Sequence, residues 1–292
     1  MTTETEQKVV VVTGASSGLG RLTAETLAEH GYAVYATMRN PMSTNRQLRD
    51  DLYASAEQQG NSLQVVEIDV TSEASVVAGI NAVIEDAGQI DVVVNNAGVM
   101  NVGVSEAYTT EAVQRQFDVN FFGAVRMNRA VLPHMRERGS GLLIQVSSLA
   151  GRLIFPFFGI YCASKFAVEA LAEAYRYELA SFGVDSIIVE PGPFWTRLID
   201  SSPGADDLDR LQSYGSVAST PTAMLRNFTE TLTSDGAPDP MLVATAVRDL
   251  IEMPSPRPLR TVIGLDYGVN ELNQTTEPVQ RQLLLALGID DV

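Results

Sequence analysis

Residues 8–20, Lys8-Val9-Val10-Val11-Val12-Thr13-Gly14-Ala15-Ser16-Ser17-Gly18-Leu19-Gly20, run four consecutive valines straight into a glycine-rich turn, and a helical pattern follows through Leu22, Thr23, Leu27 and Ala28. A strand that is continuously apolar, without polar alternation, is one covered on both faces, as in a parallel sheet. Where such a strand turns tightly into a helix, glycine lets the backbone come close to a ligand, and the unpaired amides and dipole of the helix N-terminus favour negative charge. Gly14, Ser16, Ser17, Gly18, Leu19 and Gly20 are therefore read as a pyrophosphate-binding turn. Their Gly-x-x-x-Gly-x-Gly spacing departs from the commoner G-x-G-x-x-G, and a purely structural turn remains the alternative reading.

The same strand signature recurs at 32–38, 63–70, 90–98, 141–148 and 184–192, with a seventh run at 260–265 after a helical pattern over 242–252. The segments between the runs are long enough for crossover helices. The expected fold is α/β, a Rossmann-type doubly wound parallel sheet of about seven strands. Right-handed crossovers bring every strand's C-terminal end to one edge, where ligands of such sheets bind. Residues 193–240 are rich in Ser, Thr, Pro, Gly and Asp, with helical patches near 206–213 and 222–232, and read as a substrate loop inserted over that edge. Residues 267–292 read as a C-terminal extension, and 1–292 as a single domain.

The 292 residues are 45% hydrophobic, enough for a large core, and carry 36 acidic against 20 basic side chains, a formal charge of -16. Such a field repels nucleic-acid phosphates and anionic lipid, so neither is an expected partner. With Cys162 as the one cysteine, an intramolecular disulfide is excluded, and His30 and His134 lie too far apart for a local metal motif, so no metal is expected. The start, MTTETEQ, has neither the positive nor the apolar region of a signal peptide. The most apolar stretch, 141–161, is broken by Gln145, Ser147, Ser148 and Arg152 and does not read as a membrane span. A cytoplasmic protein is the expectation.

Chemistry enters at the strand ends. After the second strand, Thr37-Met38-Arg39-Asn40 offers no acid for an adenosine ribose, while the Arg39 guanidinium suits bidentate contact with a 2′-phosphate. NADP(H) is thus expected over NAD(H). Asp69, after the third strand, is placed to accept a hydrogen bond from an adenine amino group, though a turn cap explains it as well. Tyr161 and Lys165 stand four residues apart at the start of a helical run to Leu179, on one helix face. A lysine ammonium beside a tyrosine lowers a phenol pKa that is about 10 when free, which suits a proton donor to the alkoxide left by carbonyl reduction.

Together with Asn95-Asn96-Ala97-Gly98, Asn120, Ser148 and Pro191-Gly192-x-x-x-Thr196, these motifs resemble, in order and spacing, the short-chain dehydrogenase/reductase family in its single-domain form, strongly over 7–198. The stretches 189–194 and 35–39 look closest to its hydroxysteroid and retinol dehydrogenase branches. The resemblance implies that Ser148 hydrogen-bonds the substrate oxygen, Tyr161 exchanges the proton, Lys165 binds the nicotinamide ribose, and Asn120 holds a relay water. It places Asp69 and Val70, then Asn96, Ala97 and Gly98, beside the adenosine half of the cofactor, and Pro191, Gly192 and Thr196 beside the nicotinamide carboxamide. It further implies a homo-dimer or homo-tetramer and a small carbonyl or alcohol substrate, an apolar ketone, aldehyde, steroid or retinoid. Asn95 is read as a tie between neighbouring strands, and Cys162 as a packing residue. Phe155, Phe157, Phe158, Phe194 and Trp195 are read as lining an apolar pocket. Two alternatives stay open: an NADP(H)-sensing regulatory protein without turnover, which would tend to lose Tyr161 or Lys165, and a 3-oxoacyl thioester reductase, against which the acidic surface argues if the carrier is itself acidic.

Overall fold

A computed structural model describes residues 7–289 of the chain, so part of the polar start (1–7) and the last residues of the extension (267–292) lie outside the described residues. Strands and helices alternate from the first: β1 (Val9–Val12), α1 (Gly18–Glu29), β2 (Ala33–Met38), α2 (Arg46–Gln59), β3 (Leu63–Glu67), α3 (Glu73–Ala87) and β4 (Val92–Asn95). Helix α4 (Thr110–Phe117) passes through a π-helical turn (Asp118–Phe122) into α5 (Gly123–Arg138), followed by β5 (Gly141–Val146), α6 (Gly159–Leu179) and β6 (Val184–Pro191). Three further helices, α7 (Arg197–Asp200), α8 (Leu208–Ser213) and α9 (Thr220–Leu232), precede α10 (Met241–Glu252), β7 (Arg260–Ile263) and α11 (Val269–Ala286).

The seven strands form one parallel sheet in the order β3-β2-β1-β4-β5-β6-β7. Val10 pairs with Val34 on one side and Val92 on the other, so β1 is central. The chain builds outward to β3, then crosses back to β4, and this reversal opens a crevice over the C-terminal ends of β1 and β4. The valines of β1 are all apolar because both faces are covered: Val10 and Val12 pack with Leu27, Val243 and Val247, while Val9 and Val11 pack with Val76, Ile80 and Met127.

Every strand read from the sequence is present, but all except β2, which ends with its run at Met38, stop short of their apolar runs. Thr13, Asp69, Asn96 and Ser148 lie just past the ladder, in the turns that carry the site. Residues 193–240 are more regular than their composition suggests because their polar residues cap helices: Thr196 Oγ1 accepts from the Leu198 amide at 3.3 Å, and Asp207 Oδ1 from the Arg210 amide at 3.0 Å. The C-terminal extension contains α11, eighteen residues of helix that periodicity did not reveal. Only Val269 and Leu284 of it are buried, whereas Val279, Leu283 and Leu285 face outward, so no clear apolar stripe marks it.

Candidate active site

A cavity of about 400 Å³ lies over the C-terminal edge of the sheet. Its wall includes Gly14, Ser16, Ser17, Gly18, Leu19, Arg39, Asp69, Val70, Asn96, Ala97, Gly98, Ser148, Tyr161, Lys165, Pro191, Gly192 and Thr196, that is, the expected site residues except Gly20 and Asn120.

The glycine turn is shaped by close approach. Gly14 has φ +66, and a Cβ there would stand 2.8 Å from Ala97 Cα, so only glycine lets the β1 turn pass over the β4 turn. At Gly20 a Cβ would meet the Asn96 side chain and, at 2.6 Å, the Gly14 carbonyl; this residue packs α1 onto the turn from behind the cavity. The Ser17 side chain makes no capping bond to α1 and the first turn holds no acid, which leaves the first helical amides available to an anion. Thr13, with no role of its own in the sequence reading, locks the two turns together: its hydroxyl accepts from the amides of Asn96 at 2.9 Å and Ala97 at 3.0 Å. Asn95 does not reach a neighbouring strand directly. Its amide donates to Asn128 on α5 at 2.7 Å, and Gln145 of β5 reaches the same oxygen at 3.4 Å, so the tie runs through a helix.

Arg39 is exposed and, among the described residues, pairs with no carboxylate. The Asn45 side chain donates to its carbonyl at 2.6 Å, fixing the loop that presents it. Among the described residues, Asp69 is the one acid in the cavity wall. One of its oxygens accepts from the Thr71 amide at 3.0 Å and hydroxyl at 2.7 Å, so the turn-capping role is realised.

Ser148 ends β5's loop with its hydroxyl accepting from the Ala150 amide at 3.1 Å, which aims the following short turn. Tyr161 and Lys165 begin α6 and are only 7% and 5% exposed. Burial pushes the Tyr161 phenol up to about 12, opposed by the neighbouring Ser148 hydroxyl, and pushes Lys165 down to about 8, opposed by the charge of Glu169. The expected lowering of the phenol by Lys165 is therefore not what this geometry produces. The ammonium is directed elsewhere, donating to the Val146 carbonyl at 2.8 Å and standing 5.8 Å from the Tyr161 ring centre, and loss of solvent dominates.

Asn120 lies in the π-helical turn, which widens the helix beside the site. Its side chain is fully engaged: Oδ1 accepts from the Val99 amide at 2.8 Å, and Nδ2 donates to the Val99 carbonyl at 2.9 Å and Ser164 Oγ at 3.0 Å. A second cavity of about 10 Å³, the size of one water, separates it from Lys165, Thr13 and Gln145. Cys162 is completely buried, consistent with packing.

Part of the wall is apolar. Phe158 meets Phe155 and Phe228 edge to face, each at 6.2 Å between ring centres, and Leu225 and Leu232 extend the wall along α9. Phe194 also lines it, whereas Phe157 does not and Trp195 is 41% exposed away from it. The α9 contribution was missed in the sequence, although Leu225, Phe228 and Leu232 follow helical spacing.

The family profile described as short chain dehydrogenase matches residues 8–205. The chain is 38% identical over 196 residues to the 3-ketodihydrosphingosine reductase of Bacteroides thetaiotaomicron, covering 67% of each protein. It is 40% identical over 207 residues to human 17-beta-hydroxysteroid dehydrogenase type 1, covering 69% of this chain but under two thirds, 62%, of that enzyme. The crystal structure of a short-chain dehydrogenase from Streptomyces avermitilis superposes with a TM-score of 0.77 at 31% identity, over 97% of this chain and 99% of that one. On the shared sheet order, the cavity at its C-terminal edge and these matches, the chain belongs to the short-chain dehydrogenase family of nicotinamide-dependent oxidoreductases.

Proposed function

We propose that the protein is an NADP(H)-dependent oxidoreductase that interconverts a carbonyl and a secondary alcohol on an apolar substrate. The observation that carries this reading is a single cavity in which a glycine turn with free helical amides, the Ser148, Tyr161 and Lys165 side chains and a phenylalanine wall all meet. The donor set suits a dinucleotide phosphate: amides at the start of α1 for the pyrophosphate, Arg39, with no carboxylate partner among the described residues, for the 2′-phosphate, and a wall whose described residues hold no acid besides Asp69.

A bound nicotinamide supplies or accepts the hydride. The chain's own groups manage the oxygen. Ser148 hydrogen-bonds it, and Tyr161 delivers its phenolic proton as negative charge develops there, or takes that proton back in oxidation. Lys165 keeps positive charge beside the phenol and holds the nicotinamide ribose. Because the Asn120 side chain is engaged, a relay water belongs in the small cavity between it and Lys165. The apolar wall fits a largely hydrocarbon substrate, as do the substrates named for the sphingosine and steroid relatives. The same reading takes the protein to be cytoplasmic and homo-oligomeric, with exposed Phe122 and Phe166 on the π-helical turn and α6 available to another copy.

The test is consumption of NADPH, beside NADH, by the purified protein against ketones, aldehydes, steroids, retinoids, sphingoid ketones and 3-oxoacyl thioesters. NADPH-preferring turnover of the apolar carbonyls is expected. Tight NADPH binding with no turnover on any compound would contradict it and favour the regulatory reading.

A further inference from the structure

One helical turn beyond Lys165, Glu169 is 3% exposed, and Glu190 near the end of β6 is wholly buried. Both face one guanidinium. Arg260 Nε lies 2.9 Å from Glu169 Oε2 and 3.6 Å from Glu190 Oε1, while Arg260 Nη2 is held by Glu173 at 2.6 Å. The charged groups around the pair are Lys165 and Glu173 from α6, Arg260 from β7 and Arg152 from the turn after β5. Helix α11 contributes a neutral group, Asn273, which donates to Glu190 Oε2 at 2.6 Å and accepts from Arg152 Nε at 2.8 Å.

This leaves Glu190 Oε1 buried with no hydrogen-bond donor, whereas Glu169 Oε1 faces the Ser147 hydroxyl. Packing is tight around them: a Cβ on Gly151 would stand 2.8 Å from Glu169 Cγ and 2.5 Å from Ser147 Oγ. Two ionised carboxylates, one with an orphaned oxygen, on a guanidinium already shared with a third, make a costly buried arrangement. A proton on Glu190 removes one of these charges and relieves the oxygen that no donor reaches.

We propose that Glu169 and Glu190 hold one proton between them and act as a positioning pair, the carboxylate of Glu169 keeping Lys165 charged while the neutral Glu190 seats Asn273 of α11. The proton resides on Glu190 Oε1, the oxygen that meets Glu169 Oε2 at the shared Arg260 Nε. Glu190 Oε2 stays an acceptor for Asn273, as observed. Burial followed by the charge of Glu169 raises Glu190 to about 8, and burial also raises Glu169, in keeping with a pair that cannot ionise twice near neutrality. The role assigned to Lys165 rests on the oxidoreductase reading; the shared proton does not.

Two measurements on the full-length protein test the pair. The first is the thermal unfolding midpoint of wild type and Glu190→Gln, from about pH 5 to about pH 8. A carboxyl whose folded pKa is raised binds its proton over a range where the unfolded chain has released it, so stability declines as pH rises through that window. Glutamine mimics the neutral acid, so Glu190→Gln should match wild type near pH 5 and exceed it near pH 8. Parallel profiles, or a variant less stable than wild type near pH 8, would overturn the shared proton.

The second is the pH dependence of NADPH turnover in Glu169→Gln, which removes the charge facing Lys165. Its alkaline limb should move to lower pH, a one-unit move cutting turnover near pH 8 about fivefold while sparing that near pH 6, and Glu169→Asp should move the limb part of the way back. An unmoved limb, or an equal loss at every pH, would overturn the positioning role. The unfolding measurement needs no turnover, so failure of the oxidoreductase reading and failure of the pair are distinguishable.

Discussion

Replacing Thr13 by valine keeps the side chain's shape and deletes one hydroxyl at a position that is 1% exposed. That hydroxyl accepts from the Asn96 and Ala97 amides and donates to the Val94 carbonyl at 3.3 Å. Not all three partners are orphaned by its loss. The Val94 carbonyl keeps the Thr13 amide at 3.0 Å, and the Asn96 amide keeps the Val94 carbonyl at 3.1 Å. The Ala97 amide has no second acceptor among the backbone and side-chain bonds of the described residues, so one part-buried donor is left unsatisfied, at a cost of about 1–3 kcal/mol. A central value of about 2 kcal/mol, divided by a urea slope of about 3 kcal/mol/M, lowers the unfolding midpoint by roughly 0.7 M. NADPH affinity should fall as well, because Asn96, Ala97 and Gly98 form part of the cavity wall. Thr13→Ser keeps the hydroxyl and should recover most of both losses. A Thr13→Val midpoint within about 0.2 M of wild type, or a serine variant as damaged as the valine, would refute the bonding argument.

Arg39→Ala should raise the NADPH KM about tenfold or more and leave the NADH KM nearly unchanged, since it removes a charge-assisted contact to the 2′-phosphate alone; steady-state kinetics with both nucleotides reads this, and equal changes would contradict it. Turnover should decline as pH rises through about 8, where Lys165 loses its proton, and not only above pH 10 as for an ordinary lysine. Tyr161, pushed up to about 12, keeps its proton across that range, so the limb belongs to Lys165 and a kcat/KM profile flat to pH 10 would contradict the assignment.

Much of the fold was readable because burial on both faces leaves a direct mark: nothing but a covered strand explains Val9 to Val12. The site was readable where its residues stand at short fixed spacings, as Tyr161 and Lys165 do on α6 and Gly14, Gly18 and Gly20 do around the first turn. What escaped was set by distance along the chain or by weak periodicity. Thr13 binds amides more than eighty residues away, and Arg260 reaches Glu169 across ninety-one. Helix α11 turns Val279, Leu283 and Leu285 outward and so shows no clear stripe. Whether Lys165 lowers or fails to lower its tyrosine depends on solvent and on the Val146 carbonyl, neither of which a four-residue spacing encodes. The π-helical turn at 118–122 adds a residue's width to a helix without any signature in composition.

The proposal that Tyr161 moves the proton is tested by Tyr161→Phe, assayed for NADPH binding by fluorescence titration and for turnover on whichever carbonyl the wild type reduces. Removal of the phenolic hydroxyl alone should cut kcat on the order of 10²–10⁴-fold while NADPH affinity stays close to wild type. A variant that binds NADPH and turns over at the wild-type rate would show that the proton comes from another group and would contradict the account.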